Sequence, residues 1–442
     1  MKAGFVSLGC AKNLVDTEVM LGIMQEHGIE LTANPADADI LIVNTCAFIL
    51  SAKEESITTV LNLSEYKSSG KCRSLIVAGC LGQLYKRDLL NEMPEVDAVI
   101  GTGAWNRIME AIEETLSGRR VTLIGKRGII YNAKTPRLRT TPNYTAYVKI
   151  SEGCNNRCAF CSIPLIRGKQ ISRPIEDIRA EVERLTSQGV KEINLIAQDT
   201  TAYGLDIYGK PKLVELLREL VTVEKVHWLR ILYAYPRRFT DELIELIATE
   251  PKICKYVDLP LQHASDKILR LMNRPDTRES IEALLKKIRA KIPGVVIRST
   301  FIVGFPGETE EDFRELKNFL QEQRLDKVGI FTYSREEDTA AYDFPEQVSE
   351  DVMQERYHEL MSLQSMISQE LNESLEGQEL EVLIESRDEE VPQVVAGRSY
   401  RDAPEVDGLV YIENDKRSQA GDIVRVKVLA GFVYDIAAER IN

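Results

Sequence analysis

Three cysteines stand close together near the middle of the chain, in the segment Cys154-Asn-Asn-Arg-Cys158-Ala-Phe-Cys161. Thiolates are soft ligands, and a tight group of three suits iron-sulfur chemistry. A 4Fe-4S cluster has four irons, so three protein thiolates leave one iron open to bind another molecule. A structural zinc site is the alternative, but it needs a fourth Cys or His nearby, and the sequence has none there. The segment therefore predicts a cluster with one open iron.

Three further cysteines each follow a strand-like run in the first part of the chain, in the segments FVSLGC, LIVNTC and LIVAGC. The carboxyl ends of parallel strands share one edge of an open sheet, so Cys10, Cys46 and Cys80 are expected to converge. We interpret this trio as a second cluster site with an open iron; three buried thiols at strand ends are the alternative. Cys72 and Cys254 precede their strands and are expected to be ordinary buried residues.

Composition describes a globular protein of several domains. The chain has 442 residues, 44% hydrophobic and 28% charged, enough for about three domains. No apolar run approaches the roughly 20 residues that cross a bilayer, and the first residues lack signal-peptide features. Eight cysteines are too few for a disulfide scaffold, so we expect a reducing compartment, the cytoplasm, and no membrane partner. The net charge of -13 argues against nonspecific coating of phosphate backbones.

The hydrophobic pattern predicts an α/β protein. Residues 1–116 alternate β-branched runs with amphipathic helices, which predicts a doubly wound parallel sheet with strands at 4–8, 40–43, 75–78 and 96–100. Residues 117–143, with Gly and Pro scattered among Arg and Thr, are predicted to be a linker. Residues 144–372 predict an open, partial TIM-like (β/α)6 barrel and a long helix over about 349–375. The barrel strands are expected near 147–151, 193–197, 229–233, 256–260, 295–303 and 328–333.

Residues 373–442 change character, with short β runs separated by Gly and Asp. Runs at 380–384, 394–396, 409–412, 423–429 and 433–436 predict a five-stranded β-barrel of the oligonucleotide-binding (OB-like) type. Between Glu373 and Asn442 there are 8 Lys and Arg against 16 Asp and Glu. A tRNA-binding barrel is expected to carry a basic face, whereas an acidic one suits a basic protein partner; a merely solvated acidic surface is the alternative.

The cysteine spacing after the first strand of a six-fold strand-helix repeat resembles the radical S-adenosylmethionine (radical SAM) family. There the open iron chelates the amino acid end of S-adenosylmethionine. The resemblance implies that Phe160 lies against the adenine. It also implies that backbone after later strands holds the methionine part, here at Gln198, Asp199 and Gly304. Structural roles, a turn at Gly304 and a loop cap at Gln198 or Asp199, are the alternatives.

The domain order, a cysteine-trio domain, a radical SAM barrel and a small barrel called the TRAM domain, is similar to the methylthiotransferases. Within them, the segments Gly9 to Glu18, Asn44 to Phe48 and Gln198 to Gly204 resemble the branch that modifies ribosomal protein S-twelve. The resemblance implies two 4Fe-4S clusters and S-adenosylmethionine as radical source and methyl donor. Because the cofactors would carry the radical chemistry, no side chain is assigned as catalytic.

Three functions remain open from the sequence. The leading hypothesis is transfer of a methylthio group to the β-carbon of an aspartate in small-subunit ribosomal protein S-twelve, free or in the ribosome. An electron donor would be the second partner. The closest alternative is a tRNA adenosine methylthiotransferase with the same cofactors, although the charge gives no strong nucleic-acid signal. A noncatalytic iron-sulfur factor that binds the ribosome is the alternative of another class. Without a coiled coil or an obvious dimer helix, we expect a monomer.

Overall fold

The amino-terminal domain is built on a six-stranded parallel sheet. The computed structural model describes residues 1–387, 391 and 393–441. In spatial order the strands are Glu30–Leu31, Lys2–Ser7, Ile40–Thr45, Ser74–Gly79, Ala98–Gly103 and Val121–Gly125. The helices are Ala11–Glu26, Leu50–Ser64, Tyr66–Ser69, Cys80–Tyr85, Arg87–Glu92 and Ile108–Leu116. Apolar cores lie on both faces of the sheet, so the predicted doubly wound sheet is confirmed.

The edge strand of this sheet lies in the segment predicted to be a linker. Val121–Gly125 pairs in parallel with Ala98–Gly103, so the first part of the segment predicted to be a linker contributes a strand to the sheet. The strand is short and ends in glycine, so its local pattern is weak. Its conformation is set by the neighbouring strand, which supplies the hydrogen bonds that a sequence pattern cannot show.

The rest of that segment is anchored to both of its neighbouring domains. Arg137 forms ion pairs with Glu18 of the first helix at 2.5 Å and with Glu181 of the central domain at 2.8 Å. All three side chains are buried. Gly22 permits this crossing, because a side chain there would collide with the backbone of Pro136 and Arg137. The segment therefore ties the first helix to the central domain.

The central domain is an open barrel of six parallel strands. They are Thr145–Lys149, Glu192–Ile196, Trp228–Ile231, Tyr256–Asp258, Val296–Val303 and Lys327–Thr332. Each half has three hydrogen-bonded strands, and a backbone bridge between Leu229 and Ile253 joins the halves. The first and last strands are the two edges, so the predicted partial TIM-like barrel is confirmed.

Helices surround this barrel. They are Ile163–Ile166, Ile175–Ser187, Leu205–Tyr208, Leu213–Val221, Asp241–Thr249, Asp266–Leu271, Arg278–Lys291, Glu310–Gln323 and Glu350–Glu373. The apolar stripes of the longer helices pack on the strands to form the largest core of the molecule, which buries side chains such as Val148, Leu195 and Leu316 completely. Among the described residues, no helix is both long and apolar enough to cross a membrane.

The carboxyl-terminal domain is a closed five-stranded barrel, as predicted. Its strands are Glu379–Arg387, Val395–Ser399, Val410–Glu413, Ile423–Gly431 and Ile436–Ile441. The last strand begins where the prediction for 433–436 ends. Asn372 and Ser368 of the long helix donate hydrogen bonds to the carbonyls of Phe432 and Val433, which holds that stretch in a turn. Three acidic residues counted in this domain, Asp388, Glu389 and Glu390, lie outside the described residues.

The carboxyl-terminal barrel covers the amino ends of the central strands. Glu192, at the start of the second strand, accepts hydrogen bonds from Arg230 at 3.1 Å and from Arg398 of the terminal barrel at 2.7 Å. All three residues are buried. Burial alone would raise the pKa of Glu192, but the guanidinium groups of Arg398 and Arg230 outweigh it and lower the pKa to about 2. This ion triad joins the two domains.

Replacing Glu192 should destabilise the protein strongly. Glu192→Gln leaves the Arg230 guanidinium buried without an anion and Arg398 with Glu385 alone, which is expected to cost about 3–5 kcal/mol in the free energy of unfolding. Because the folded pKa is lowered, the stabilisation is fully present above about pH 4.3. It is lost as the pH falls towards about 2. Urea unfolding followed by circular dichroism, at neutral and acid pH, measures both effects.

The matched control is Glu381→Gln. Glu381 pairs with His227 across the same interface at 3.3 Å, but both side chains are exposed, by 49% and 39%. An exposed pair contributes less than about 1 kcal/mol. Equal losses in the two variants would contradict the role given to the buried triad.

Candidate functional site

The first cysteine trio lies at one edge of the amino-terminal sheet. The strands that precede Cys10, Cys46 and Cys80 are parallel neighbours, so the three residues follow carboxyl ends that share an edge. All three are free cysteines; Cys10 is exposed, Cys46 is partly exposed and Cys80 is buried. Gly9, with a φ of +85°, touches Cys46. A side chain on Gly9 would meet Cys46 Cβ at 2.9 Å and Sγ at 3.1 Å.

The pKa values of the three thiols depend on one another and on two nearby cations. The protein around Cys10 disfavours its thiolate, but the Lys12 ammonium and the Arg167 guanidinium outweigh this and lower the pKa. Burial raises the pKa of Cys46 and raises that of Cys80 to about 12, and neighbouring thiolates add to both shifts. A cluster that withdraws negative charge relieves such repulsion, so this donor set fits an iron-sulfur cluster.

The second trio lies on the loop that leaves the carboxyl end of the first barrel strand. Cys154, Cys158 and Cys161 are free and partly exposed. The loop is fixed at both ends by its backbone. The amide of Cys154 donates to the carbonyl of Gly168 at 3.0 Å, and the amide of Ala159 donates to that of Met272 at 2.9 Å. The loop is thus held in place by the protein itself.

A buried arginine lies beside one thiol of each trio. Burial raises the pKa of Cys158, and the positive charge of the Arg274 guanidinium opposes that shift. Arg274 is itself buried and stacks on the ring of Tyr235 at 4.4 Å. In the first trio, Arg167 donates to Cys80 Sγ at 3.8 Å. Hydrogen bonds to ligating sulfur stabilise the thiolate, which is the form that binds iron.

Gln198 and Asp199 are both predicted to hold the cofactor, but their side chains differ in how many hydrogen bonds they already form within the protein. Gln198 donates from Nε2 to Glu152 at 2.9 Å, and its Oε1 is buried without a hydrogen-bond partner. Such an orphaned acceptor fits a bound molecule with N–H or O–H groups. Asp199 accepts four hydrogen bonds, including those from Asn156 and Arg238 at 2.8 Å. Asp199 therefore anchors the cysteine loop through Asn156.

Phe160 packs on an apolar cluster beside the loop, and Gly304 precedes Phe305 of that cluster. The Phe160 ring contacts that of Phe305 edge to face, with centroids 6.5 Å apart. Gly304 has a φ of +75° and packs against Met353 of the long helix. Its amide donates to Glu308 at 2.9 Å. Gly304 therefore forms the turn next to Phe305, and contact of Phe160 or Gly304 with a cofactor stays a prediction.

A buried ion network extends from the first trio across the domain interface to the base of the Cys154 loop, and the sequence pattern did not predict it. Arg167 donates to Asp16 of the amino-terminal domain at 2.9 Å and to Glu152 of the central domain at 2.9 Å. Lys149 binds the same two carboxylates. Glu152 in turn accepts the hydrogen bond from Gln198. A continuous chain of polar contacts thus runs from Cys80 through Arg167 and Glu152 to Gln198.

The sequence contains one indication that such a network of buried charges exists. Lys149 and Glu152 are charged residues at the end of an otherwise apolar strand, two to five residues before Cys154. A charge in a buried strand indicates a partner or a ligand. Nothing in the local pattern around Arg167 or Asp16 distinguishes them from surface residues, because their partners lie far away in the sequence.

The other candidate residues lie outside both trios. Cys72 and Cys254 are buried, as predicted. A buried histidine, His263, follows the fourth barrel strand; its Nδ1 accepts the Ser265 amide at 2.9 Å and its Nε2 lies 3.5 Å from Glu308. Across the described ranges, no group of three or more His, Cys, Asp or Glu side chains is arranged for a single metal ion. A four-iron cluster spreads its thiolate ligands more widely than one ion does.

Replacing Gly9 should weaken iron binding at the first trio. Gly9→Ala, made in a variant with Cys154, Cys158 and Cys161 changed to Ala, would displace Cys46. We expect iron affinity to fall by about 10-fold or more. Iron analysis and electron paramagnetic resonance (EPR) after reconstitution measure the effect.

Gly28→Ala is the matched control for that change. Gly28 also has a positive φ, of +75°, but a side chain there would meet nothing within 4 Å. Both variants carry the backbone strain of a left-handed alanine, so only contact with Cys46 differs. If Gly28→Ala lost as much iron as Gly9→Ala, the close approach to Cys46 would not be the cause.

Models of three families match successive parts of the chain. The Radical SAM superfamily matches residues 148–320, the TRAM domain matches 377–441, and a family described as Uncharacterized protein family UPF0004 matches 2–101. Among solved structures, the radical S-adenosylmethionine methyltransferase TsrM from Kitasatospora setae has a TM-score of 0.52 at 16% identity. The likeness covers 75% of this chain and 74% of that one, and it shows the fold alone.

Full-length relatives are much more similar. Ribosomal protein uS12 methylthiotransferase RimO of Desulforamulus reducens is 52% identical over 437 residues, 99% of this chain and 98% of the relative. The protein of the same name from Pelotomaculum thermopropionicum is 50% identical over 441 residues, 100% of this chain and 99% of the relative. The chain therefore belongs to the RimO family of ribosomal protein uS12 methylthiotransferases.

Proposed function

We propose that this protein is a radical S-adenosylmethionine methylthiotransferase that adds a methylthio group to the β-carbon of an aspartate in ribosomal protein uS12. The observation that carries the proposal is the contact chain across the domain interface from Cys80 through Arg167 to Glu152, which stands two residues before Cys154 of the second trio. A binding factor without catalysis would not need two incompletely ligated clusters next to each other. The names of the full-length relatives support the substrate.

Each trio is proposed to ligate one 4Fe-4S cluster. The cluster on Cys154, Cys158 and Cys161 would bind S-adenosylmethionine at its open iron, and the one on Cys10, Cys46 and Cys80 would carry the sulfur. When bound and reduced, these groups supply the radical that takes hydrogen from an unactivated carbon, the sulfur that replaces it, and the methyl group. The free thiols and the adjacent arginines of both trios support this assignment.

The protein itself binds, orients and excludes water. The unpartnered Oε1 of Gln198 is available to accept a hydrogen bond from S-adenosylmethionine, and Phe160 offers an aromatic edge for the adenine. Asp199 holds Asn156, and with it the cysteine loop. The amino-terminal domain covers the carboxyl ends of the barrel strands, where Lys149, Glu152 and Arg167 are buried. A reactive radical formed there would be shielded from solvent.

The substrate partner is supported by charge. The chain carries a net charge of -13, and its terminal barrel is acidic by composition. Ribosomal proteins contact RNA phosphates and are basic, so complementary potentials favour their encounter with this chain. An electron donor is the second proposed partner, the protein is proposed to act as a monomer, and a ribosomal substrate would place the reaction in the cytoplasm.

Mass spectrometry of cells with and without the gene tests the substrate. We expect a methylthio group to disappear from uS12 and every tRNA adenosine to be unaffected. Complementation with the gene should restore the modification. Loss from a tRNA adenosine instead would support the alternative branch and overturn the ribosomal assignment.

Single cysteine variants separate the two trios. Cys154→Ala should abolish cleavage of S-adenosylmethionine, because the cluster that binds it loses a ligand. Cys10→Ala should still produce 5'-deoxyadenosine but transfer no sulfur to a uS12 peptide. Cys254→Ala, at a buried thiol outside both trios, is the control and should retain both activities. Sulfur transfer by Cys10→Ala would refute the role of the first trio.

A further inference from the structure

Lys12 is a buried cation that lacks an acidic partner. Only 7% of the surface of Lys12 is exposed to solvent. Its ammonium lies over the ring of Tyr233, 3.2 Å from the centroid. Within the part of the chain that the structure describes, no carboxylate lies within 4.0 Å of this ammonium. The protein anion that this ammonium acts on is the thiolate of Cys10, whose pKa it lowers. Because a cluster would take up the charge of that thiolate, the buried ammonium is suited to an incoming anion.

The other strongly buried cations of the two adjoining domains do not share this property. Each is paired with a carboxylate of the protein; examples are Lys149, Arg137, Arg167, Arg173, Arg230 and Arg356. Even Lys53, near the same domain interface, is paired with Glu336. Lys12 therefore departs from the rule that governs the buried cations around it, which points to a partner outside the chain.

Lys12 spans the space between the two trios. Lys12 is the second residue of the helix Ala11–Glu26 and follows Cys10 by two residues. Tyr233, the residue under its ammonium, follows the third barrel strand at the carboxyl end, the end from which the Cys154 loop also leaves. The side chain thus reaches from the amino-terminal trio into the mouth of the barrel.

The protein fixes Tyr233 in an unusual backbone conformation. Its φ is +62°, in the left-handed region that aromatic residues rarely adopt. The Tyr233 amide donates to Asp258 at 2.8 Å, and its carbonyl accepts from the Thr200 amide at 3.0 Å. Such strain is maintained where a side chain must be held in one place, as at ligand sites. The ring is therefore a fixed support for the ammonium.

We propose that Lys12 determines substrate specificity by pairing with the side-chain carboxylate of the aspartate that is modified. This inference depends on the proposed function. The β-carbon of aspartate is bonded directly to the carboxylate carbon, so a group that holds the carboxylate also positions the reacting carbon. That carbon must lie between the sulfur at the Cys10 trio and the radical source at the Cys154 trio. Lys12, two residues after Cys10 and over the ring of Tyr233, is a buried cation that no carboxylate of the described residues pairs with.

Peptide binding to the reconstituted full-length protein tests this role. The probes are a uS12 peptide with the target aspartate and the same peptide with asparagine, which has the same shape without the charge. We expect the unchanged protein to prefer the aspartate peptide by about 10-fold or more. Lys12→Met should bind both peptides with the affinity that the unchanged protein has for the asparagine peptide. Lys12→Arg should keep the preference.

A control variant and two measurements without peptide accompany the binding experiment. Lys286→Met, at an exposed lysine outside the site, should leave the preference intact. The EPR spectrum of the Cys154 cluster and the cleavage of S-adenosylmethionine without peptide should be the same in Lys12→Met as in the unchanged protein. This pattern would show that Lys12 acts on the substrate.

Other results overturn the inference. If Lys12→Met retains the aspartate preference, the ammonium does not bind the carboxylate. If the preference is retained and the EPR spectrum of the Cys10 cluster changes, Lys12 serves the cluster. Failure of the proposed function has a different signature: the unchanged protein would then neither prefer the uS12 peptide nor modify it, which overturns both proposals.

Discussion

The buried ion network between the amino-terminal and central domains is the constraint on which the site depends. Lys149 and Arg167 share the carboxylates of Asp16 and Glu152, and all four side chains are nearly inaccessible to solvent. Burial alone would raise the pKa of Glu152, but Arg167 and Lys149 lower it to about 2, so the carboxylate stays charged. Removing one partner of such a network costs about 3–5 kcal/mol. A small displacement of one domain would leave a buried charge unpaired, so the network fixes how the two cysteine trios face each other.

The barrel is polar at both ends, for different reasons. At the amino ends of its strands, Glu192 binds Arg230 and Arg398, and these charges satisfy one another while they dock the terminal barrel. At the carboxyl ends the charges serve a site that is open to other molecules, where Lys12 has no carboxylate partner of its own. Parallel barrels place ligands at this end because loops of several strands converge there. The charges that join the terminal barrel to the central domain therefore lie at the opposite end of the barrel from the charges near the cysteine trios.

Much of this architecture could be predicted from the sequence, and the exceptions have a common cause. Strands buried on both faces, such as Ile40–Thr45, are continuous apolar runs, and their carboxyl ends locate Cys46 and the rest of its trio. The edge strand Val121–Gly125 was missed because pairing with a neighbour determines it. Arg167 was missed because its partners Asp16 and Glu152 lie in other parts of the sequence. In each case the local pattern was uninformative about a distant partner.

The sequence by itself determined the elements, the two cysteine trios and their placement at strand ends, because periodicity and residue spacing are local properties of the chain. Only the tertiary structure decided which charges meet. Arg167 reaches Asp16 across 151 positions, and Lys12 reaches Tyr233 in another domain. Coulomb and hydrogen-bond energies depend on distances of a few ångströms, which packing sets and sequence separation does not. The network from the first trio to the base of the Cys154 loop, and the buried cation that no carboxylate of the described residues pairs with, therefore became visible only in the folded chain.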